Sequence, residues 1–211
     1  MPATGDTWVA QSVFSAFSPE ETGAMSDSAA DFMAADRTFQ VTLTASNEQK
    51  AIGLDFDTSD PEVCVIVRID PFGQAACWNK TAGSKLKIHD RLVAVNGQTL
   101  KAAELVQQVQ TLDSPTLMIE RPDAFQFTFK RDENEAVGLA LIQGQDAPTL
   151  IIGWLNPGII ASKDLEEGEM RPQAHDRVIE VNGEMNSKQQ MIKRLAAKQV
   201  LLKVCRYNLS S

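Results

Sequence analysis

The stretch His89-Asp-Arg-Leu-Val-Ala-Val-Asn-Gly97 returns almost unchanged as His175-Asp-Arg-Val-Ile-Glu-Val-Asn-Gly183, 86 residues further on. Each copy reads as a polar turn, a short run of Leu, Val or Ile, and then Asn-Gly, the dipeptide that best tolerates the positive φ angles of a tight turn. Each is therefore a strand entering a turn. A fixed period has to be settled before any other structural reading, because it decides how the chain is divided.

Working outward from these two stretches, more matches fall at the same spacing. FQVTLT from Phe39 pairs with FQFTFK from Phe125, and AIGLDF from Ala51 pairs with AVGLAL from Ala136, one loop differing by a residue. RIDPFGQAA from Arg68 and GWLNPGIIA from Gly153 match more loosely, as apolar strands that run into Pro and Gly. The order is the same in both copies. The 211 residues therefore divide into a tail over 1–36, repeats over 37–121 and 123–207, and a short end over 208–211. A unit of about 85 residues holds a core of its own.

Composition excludes several function classes. Net charge is −8, but Asp6, Glu20, Glu21, Asp27, Asp31 and Asp36 lie in a tail without Lys or Arg, so the repeats are near neutral. No basic stripe suits nucleic acid or an anionic membrane. No apolar run approaches the roughly 20 residues that cross a bilayer, and no secretory or lipidation signal is legible, so no direct membrane insertion is expected. Cys64, Cys77 and Cys205 lack metal-ligand spacing and read as reduced thiols of a cytoplasmic protein. The acidic, Ala- and Ser-rich tail is expected to be mostly disordered, with a short helix over 7–17 carrying Trp8, Val13, Phe14 and Phe17. An intramolecular contact of that apolar face with a repeat is a further expectation.

Within the first repeat, Phe39 to Leu43 alternates as a half-buried strand, and Val63 to Ile69 is a near-continuous apolar run. Gln74 to Trp78 reads as a short helix, Lys101 to Thr111 as a longer one with Leu105, Val106, Val109 and Leu112 at helical spacing, and Leu117 to Glu120 as a closing strand.

These pieces resemble a PDZ domain, twice over. The resemblance rests on the X-Φ-Gly-Φ loops at Ala51-Ile52-Gly53-Leu54 and Ala136-Val137-Gly138-Leu139, the Pro/Gly segment before the short helix, and the Asp-Arg-Φ-Φ-x-Val-Asn-Gly stretch. It implies an α+β fold of two PDZ-like domains, each a small, partly open β-barrel or sandwich of five to six strands with one short and one longer helix. It also implies that the loop amides grip the C-terminal carboxylate of a partner peptide, which adds as a strand beside the longer helix. The implied site residues in the first repeat are Lys50, Ala51, Ile52, Gly53, Leu54, Phe56, Ala102, Val106 and Val109. In the second they are Ala136, Val137, Gly138, Leu139, Leu141, Lys188, Ile192 and Leu195. The glycines stand out, since Gly weakens a strand unless a special backbone angle or a close approach requires it.

Two departures from the family bear on specificity. Ala102 and Lys188 stand where many members carry a His that accepts a Ser or Thr hydroxyl, so the first repeat is expected to prefer an apolar residue third from the peptide's end, and the second an acidic or polar one. Lys50 precedes the first loop, whereas Glu133 and Glu135 flank the second and repel a carboxylate. The linker is little more than Arg121-Pro122-Asp123, about 10 Å when extended, so the domains must nearly touch.

His89 and His175, each followed by Asp, are the only histidines. Their identical phase favours a turn role over acid–base chemistry, and no nucleophile elbow, phosphate loop or zinc motif is present. The expectation is a non-enzymatic adaptor, without cofactor or metal, for C-terminal peptides of other proteins, tails of membrane proteins among them. The alternatives are a structural tandem with occluded grooves and a substrate-recruiting subunit of a protease assembly.

Overall fold

The computed structural model describes residues 37–45, 51–132, 135–143 and 148–209. The expected tail helix, Lys50 and Glu133 lie outside the described residues. The first repeat runs β1 (Thr38–Thr42), β2 (Leu54–Asp60), β3 (Val63–Ile69), α1 (Gln74–Thr81), β4 (Arg91–Val95), α2 (Ala102–Thr111) and β5 (Thr116–Glu120). The second runs β6 (Asp123–Lys130), β7 (Leu139–Gln143), β8 (Leu150–Leu155), α3 (Ile159–Ser162), β9 (Arg177–Val181), α4 (Lys188–Arg194) and β10 (Gln199–Arg206). Each forms an open, five-stranded antiparallel sheet, in the orders β1-β5-β4-β3-β2 and β6-β10-β9-β8-β7. In both, the strand after the Gly-bearing loop sits at an edge of the sheet.

The quoted repeat does the same local work twice. Asn96 and Gly97 have φ of 49° and 77°, Asn182 and Gly183 of 47° and 80°, the paired positive angles of a type I′ hairpin turn. Each Asn side chain also binds the next strand, Asn96 Oδ1 accepting from Thr116 N–H at 2.8 Å and Asn182 Oδ1 from Leu201 N–H at 2.7 Å. His89 and His175 have φ of 76° and 68°, so their shared phase marks a left-handed turn residue. The Asp that follows ties the turn closed, Asp90 accepting from Lys87 N–H at 2.8 Å and Asp176 from Gln173 N–H at 2.7 Å.

Each domain has its own core. Val41, Leu43, Ile66, Leu92, Leu105 and Leu117 are among the buried residues of the first, and Phe127, Ile152, Ile160, Val178, Met191 and Leu202 of the second. The apolar run of β3 is buried on both faces for a reason outside its own domain. Cys64 and Ile66 face the first core, whereas Val63 and Val65 pack against Cys205 and Tyr207 of the second domain.

That contact is reinforced by charge. Arg177 and Asp57 are 1% and 2% exposed and form an ion pair across the interface, with Thr149 Oγ1 at 3.4 Å from the same guanidinium. Asp60 Oδ2 lies 3.0 Å from His175 Nδ1, Tyr207 Oη donates to the His89 carbonyl at 3.0 Å, and Arg91 donates to the Asn208 carbonyl at 2.7 Å. Burial pushes the Asp57 carboxyl upward, but the Ser59 hydroxyl and the Arg177 guanidinium outweigh it and hold the group below the usual carboxylate range. Burial raises the Cys64 thiol to about 12 and the Cys205 thiol to about 11, which leaves both protonated and unreactive at neutral pH.

Candidate functional site

The Gly-bearing loops are built by backbone contact with the start of the short helix. In the first domain Ala51 O accepts from Gln74 N–H at 3.0 Å, Ile52 O from Ala75 N–H at 3.0 Å and Gly53 O from Asp70 N–H at 2.9 Å. In the second, Ala136 O accepts from Ile159 N–H at 3.0 Å, Val137 O from Ile160 N–H at 3.3 Å and Gly138 O from Asn156 N–H at 2.9 Å. All three carbonyls of each loop are taken. Among the described residues, the N–H groups of Ile52, Gly53, Val137 and Gly138 have no such acceptor. Amides left over on a loop whose carbonyls are all turned the other way form a concavity suited to an anion.

The glycines are explained by packing as much as by any ligand. Gly53 has a φ of 74°, and a Cβ there would lie 2.6 Å from Gly73 Cα. Gly138, at 83°, would carry its Cβ to 2.7 Å from the Asn156 carbonyl and 3.2 Å from Gly158 Cα. Each loop glycine thus needs a second glycine at the start of the short helix. The looser sequence match between RIDPFGQAA and GWLNPGIIA conserves that partner between the two repeats.

From the loop, β2 leads away as an edge strand, paired among the described residues only with β3, and α2 lies beside it. Ala102 N–H donates to the Pro61 carbonyl at 3.0 Å, so the helix starts opposite the far end of β2. A cavity of about 560 Å³ lies here, its inner wall made by Leu54, Phe56, Val106 and Gln110. Its outer rim consists of Asp55, Val67, Arg68 and, from the second domain, Pro148.

The sequence-expected residues divide into two groups. Ile52, Leu54, Phe56 and Val106 are half-buried against the first core, the last three also lining the groove, while Ala51 is exposed. Ala102 and Val109 are 1% and 2% exposed and belong to the core beneath it. In the second domain Val137, Leu139 and Leu141 are half-buried, Ala136 and Ile192 exposed and Lys188 half-buried, whereas Leu195 caps α4 and is buried in the core. Arg131 Nε donates at 2.9 Å to the Glu135 carbonyl, which places its guanidinium beside the second loop. Asp55, Val67, Arg68, Gln110 and Pro148 lie outside the sequence-expected set. Gln110 could have been found from its place one turn beyond Val106; Pro148 could not, because it belongs to the other repeat.

No helix among the described residues is long and apolar enough to cross a membrane. No family model matches the chain, and no curated protein sequence does. Among solved structures, the chain is similar to the complex of INAD PDZ45 with NORPA CC-PBM, at 20% identity over 83% of this chain and 95% of that one, with a TM-score of 0.37. INAD PDZ45 in complex with NG2 peptide matches at 20% identity over 81% and 89%, with a TM-score of 0.35. A choanoflagellate GIPC PDZ domain bound to GAIP peptide matches at 15% identity over 41% of this chain and 91% of that one, with a TM-score of 0.34. At those scores the likeness adds no argument to the topology. Strand order, helix placement and the doubled glycine loop make the described chain a tandem of two PDZ-like domains.

Proposed function

We propose that the protein is a non-enzymatic adaptor that binds the C-terminal peptides of partner proteins by adding them as a strand to the free edge of β2. The observation that carries this reading is the pair of amides at Ile52 and Gly53, without backbone acceptors among the described residues, on the loop that leads into a groove walled by Leu54, Phe56 and Val106. An added strand supplies main-chain hydrogen bonds along the edge, the amides hold its terminal carboxylate, and the apolar wall takes its last side chain. The same elements recur in the second domain around Val137, Gly138, Leu139 and Ile192. Glu135, exposed next to that loop, opposes a carboxylate there, so the first domain is assigned the stronger site. The reading fits a cytoplasmic protein that meets its partners, membrane-protein tails among them, at their exposed ends.

The test is titration of the full chain with a fluorescent peptide ending in Val, as the free acid and as the C-terminal amide. The free acid is expected to bind and the amide to bind at least tenfold more weakly, the scale of a lost charge-assisted contact. Val106→Glu is expected to abolish binding and, at a position half-buried against the core, to cost about 1–2 kcal/mol of stability, which urea unfolding reads separately. Equal binding of acid and amide would overturn the reading. Gly53→Asp is a poor control, because its side chain would strike Gly73 and disturb the fold itself.

A further inference from the structure

We propose that the first domain's groove is a composite site, completed by Pro148 of the second domain, and that it selects C-terminal peptides with a large apolar penultimate side chain. This rests on the strand-addition reading above and names what that site prefers.

A strand laid antiparallel along β2 with its end at the Gly53 loop sends alternate side chains to opposite faces. The last one enters the wall of Leu54, Phe56 and Val106. The penultimate one emerges on the other face, where Asp55 of β2 stands opposite Arg68 of β3. Those two are already paired, Arg68 Nε lying 2.6 Å from Asp55 Oδ2. Among the described residues of the rim, neither an acidic nor a basic penultimate residue finds an unmatched charge. What the rim offers instead is the Val67 side chain, the Pro148 ring and the flat face of the Arg68 guanidinium, which together suit an aromatic side chain.

Pro148 is held in place by its successor. Thr149 is 2% exposed and hydrogen-bonded to Arg177, whose guanidinium is paired with Asp57 on β2 itself. The same strand therefore borders the groove through Leu54 and Phe56 and anchors the second domain through Asp57. The ligand wall and the domain interface share one element.

The test uses the full chain and three fluorescent peptides that differ only in a penultimate Trp, Ala or Asp. The Trp peptide is expected to bind roughly tenfold tighter than the Ala peptide, the low end for one added apolar contact, and the Asp peptide no tighter than Ala. Pro148→Asp, at an exposed position, is expected to bring Trp down to the Ala level and leave the Ala peptide unchanged; Pro148→Gly should do the same more weakly. The proposal fails if the Trp advantage survives Pro148→Asp, if Asp binds tightest, or if Pro148→Asp weakens all three equally. Failure of all three peptides to bind removes the strand-addition reading, and this proposal with it, whereas binding without a Trp preference removes the composite site alone.

Discussion

At the residue scale, identical backbone angles carry different costs depending on what surrounds them. Gly53 and Gly97 have φ of 74° and 77°, but a Cβ at Gly97 meets open space and one at Gly53 meets Gly73. Gly97→Ala is expected to cost about 1 kcal/mol, the left-handed penalty alone, and Gly53→Ala about 3 kcal/mol, because the backbone contact adds overpacking. Urea unfolding of the two variants checks the difference. His89 offers a second test. Its φ is 76°, its carbonyl is used by Tyr207, and burial together with the nearby Arg177 charge pushes its imidazole below the ordinary histidine value. A lowered folded-state pKa means that the unfolded chain binds the proton more readily. The contribution is therefore complete above about pH 6.5 and falls away as the pH drops from there through the folded value. His89→Gly keeps the carbonyl, suits the turn and should flatten the stability profile in that window.

At the scale of elements, β2 departs from the strict alternation that a sequence reading assumes. Asp57 pairs with Val65 and Asp60 with Val63, so three steps along β2 match two along β3. That bulge brings Asp57 and Asp60, which a regular strand would send to opposite faces, onto the side facing the second domain. Ser59 secures it, both its amide and its hydroxyl donating to Asp57 Oδ1, at 2.9 and 2.5 Å. The helices differ in how they start. The seven-residue α4 depends on Ser187, whose hydroxyl accepts from Gln190 N–H at 3.4 Å, while α2 starts with Lys101 N–H donating to Glu104 Oε2 at 3.2 Å and is anchored by Leu105 and Val109 in the core. Ser187→Ala is expected to cost about 1 kcal/mol. Amide exchange should show that loss concentrated in α4, with α2 unaffected.

At the scale of the molecule, the buried Arg177–Asp57 pair sits among the apolar and hydrogen-bonded contacts that join the two domains. Arg177→Met leaves Asp57 buried without its partner and is expected to cost about 3–5 kcal/mol. Adding Asp57→Leu should recover most of that loss, since a well-packed apolar pair is often as stable as the charged one. Calorimetry should show one cooperative transition for the native chain and two for Arg177→Met. Because the folded-state value of Asp57 is depressed, the stability it contributes is present above about pH 4 and lost as the pH falls through the folded value. Acid should therefore loosen the tandem before it unfolds either core.

Repeat organisation, strand and helix order and the turns at Asn96-Gly97 and Asn182-Gly183 were legible in the residues, because periodicity and short-range backbone geometry mark them. The two glycine loops were legible through the repeated motif, though packing against Gly73 and Gly158 is what requires the glycines. Val106 and Val109 followed from helical spacing, whereas Ile52, Leu54, Phe56, Ala102 and Leu195 came only from the resemblance; of these Ile52, Leu54, Phe56 and Val106 are half-buried, and Ala102, Val109 and Leu195 are buried in the cores. Only tertiary structure decided that β3 is covered on both faces, that a bulge turns two aspartates toward the second domain, and that Arg91 and Arg177, alike in sequence, meet different partners. The reason is physical. Local chemistry determines an element's shape, but whether a surface becomes a groove or an interface depends on what the rest of the chain places against it.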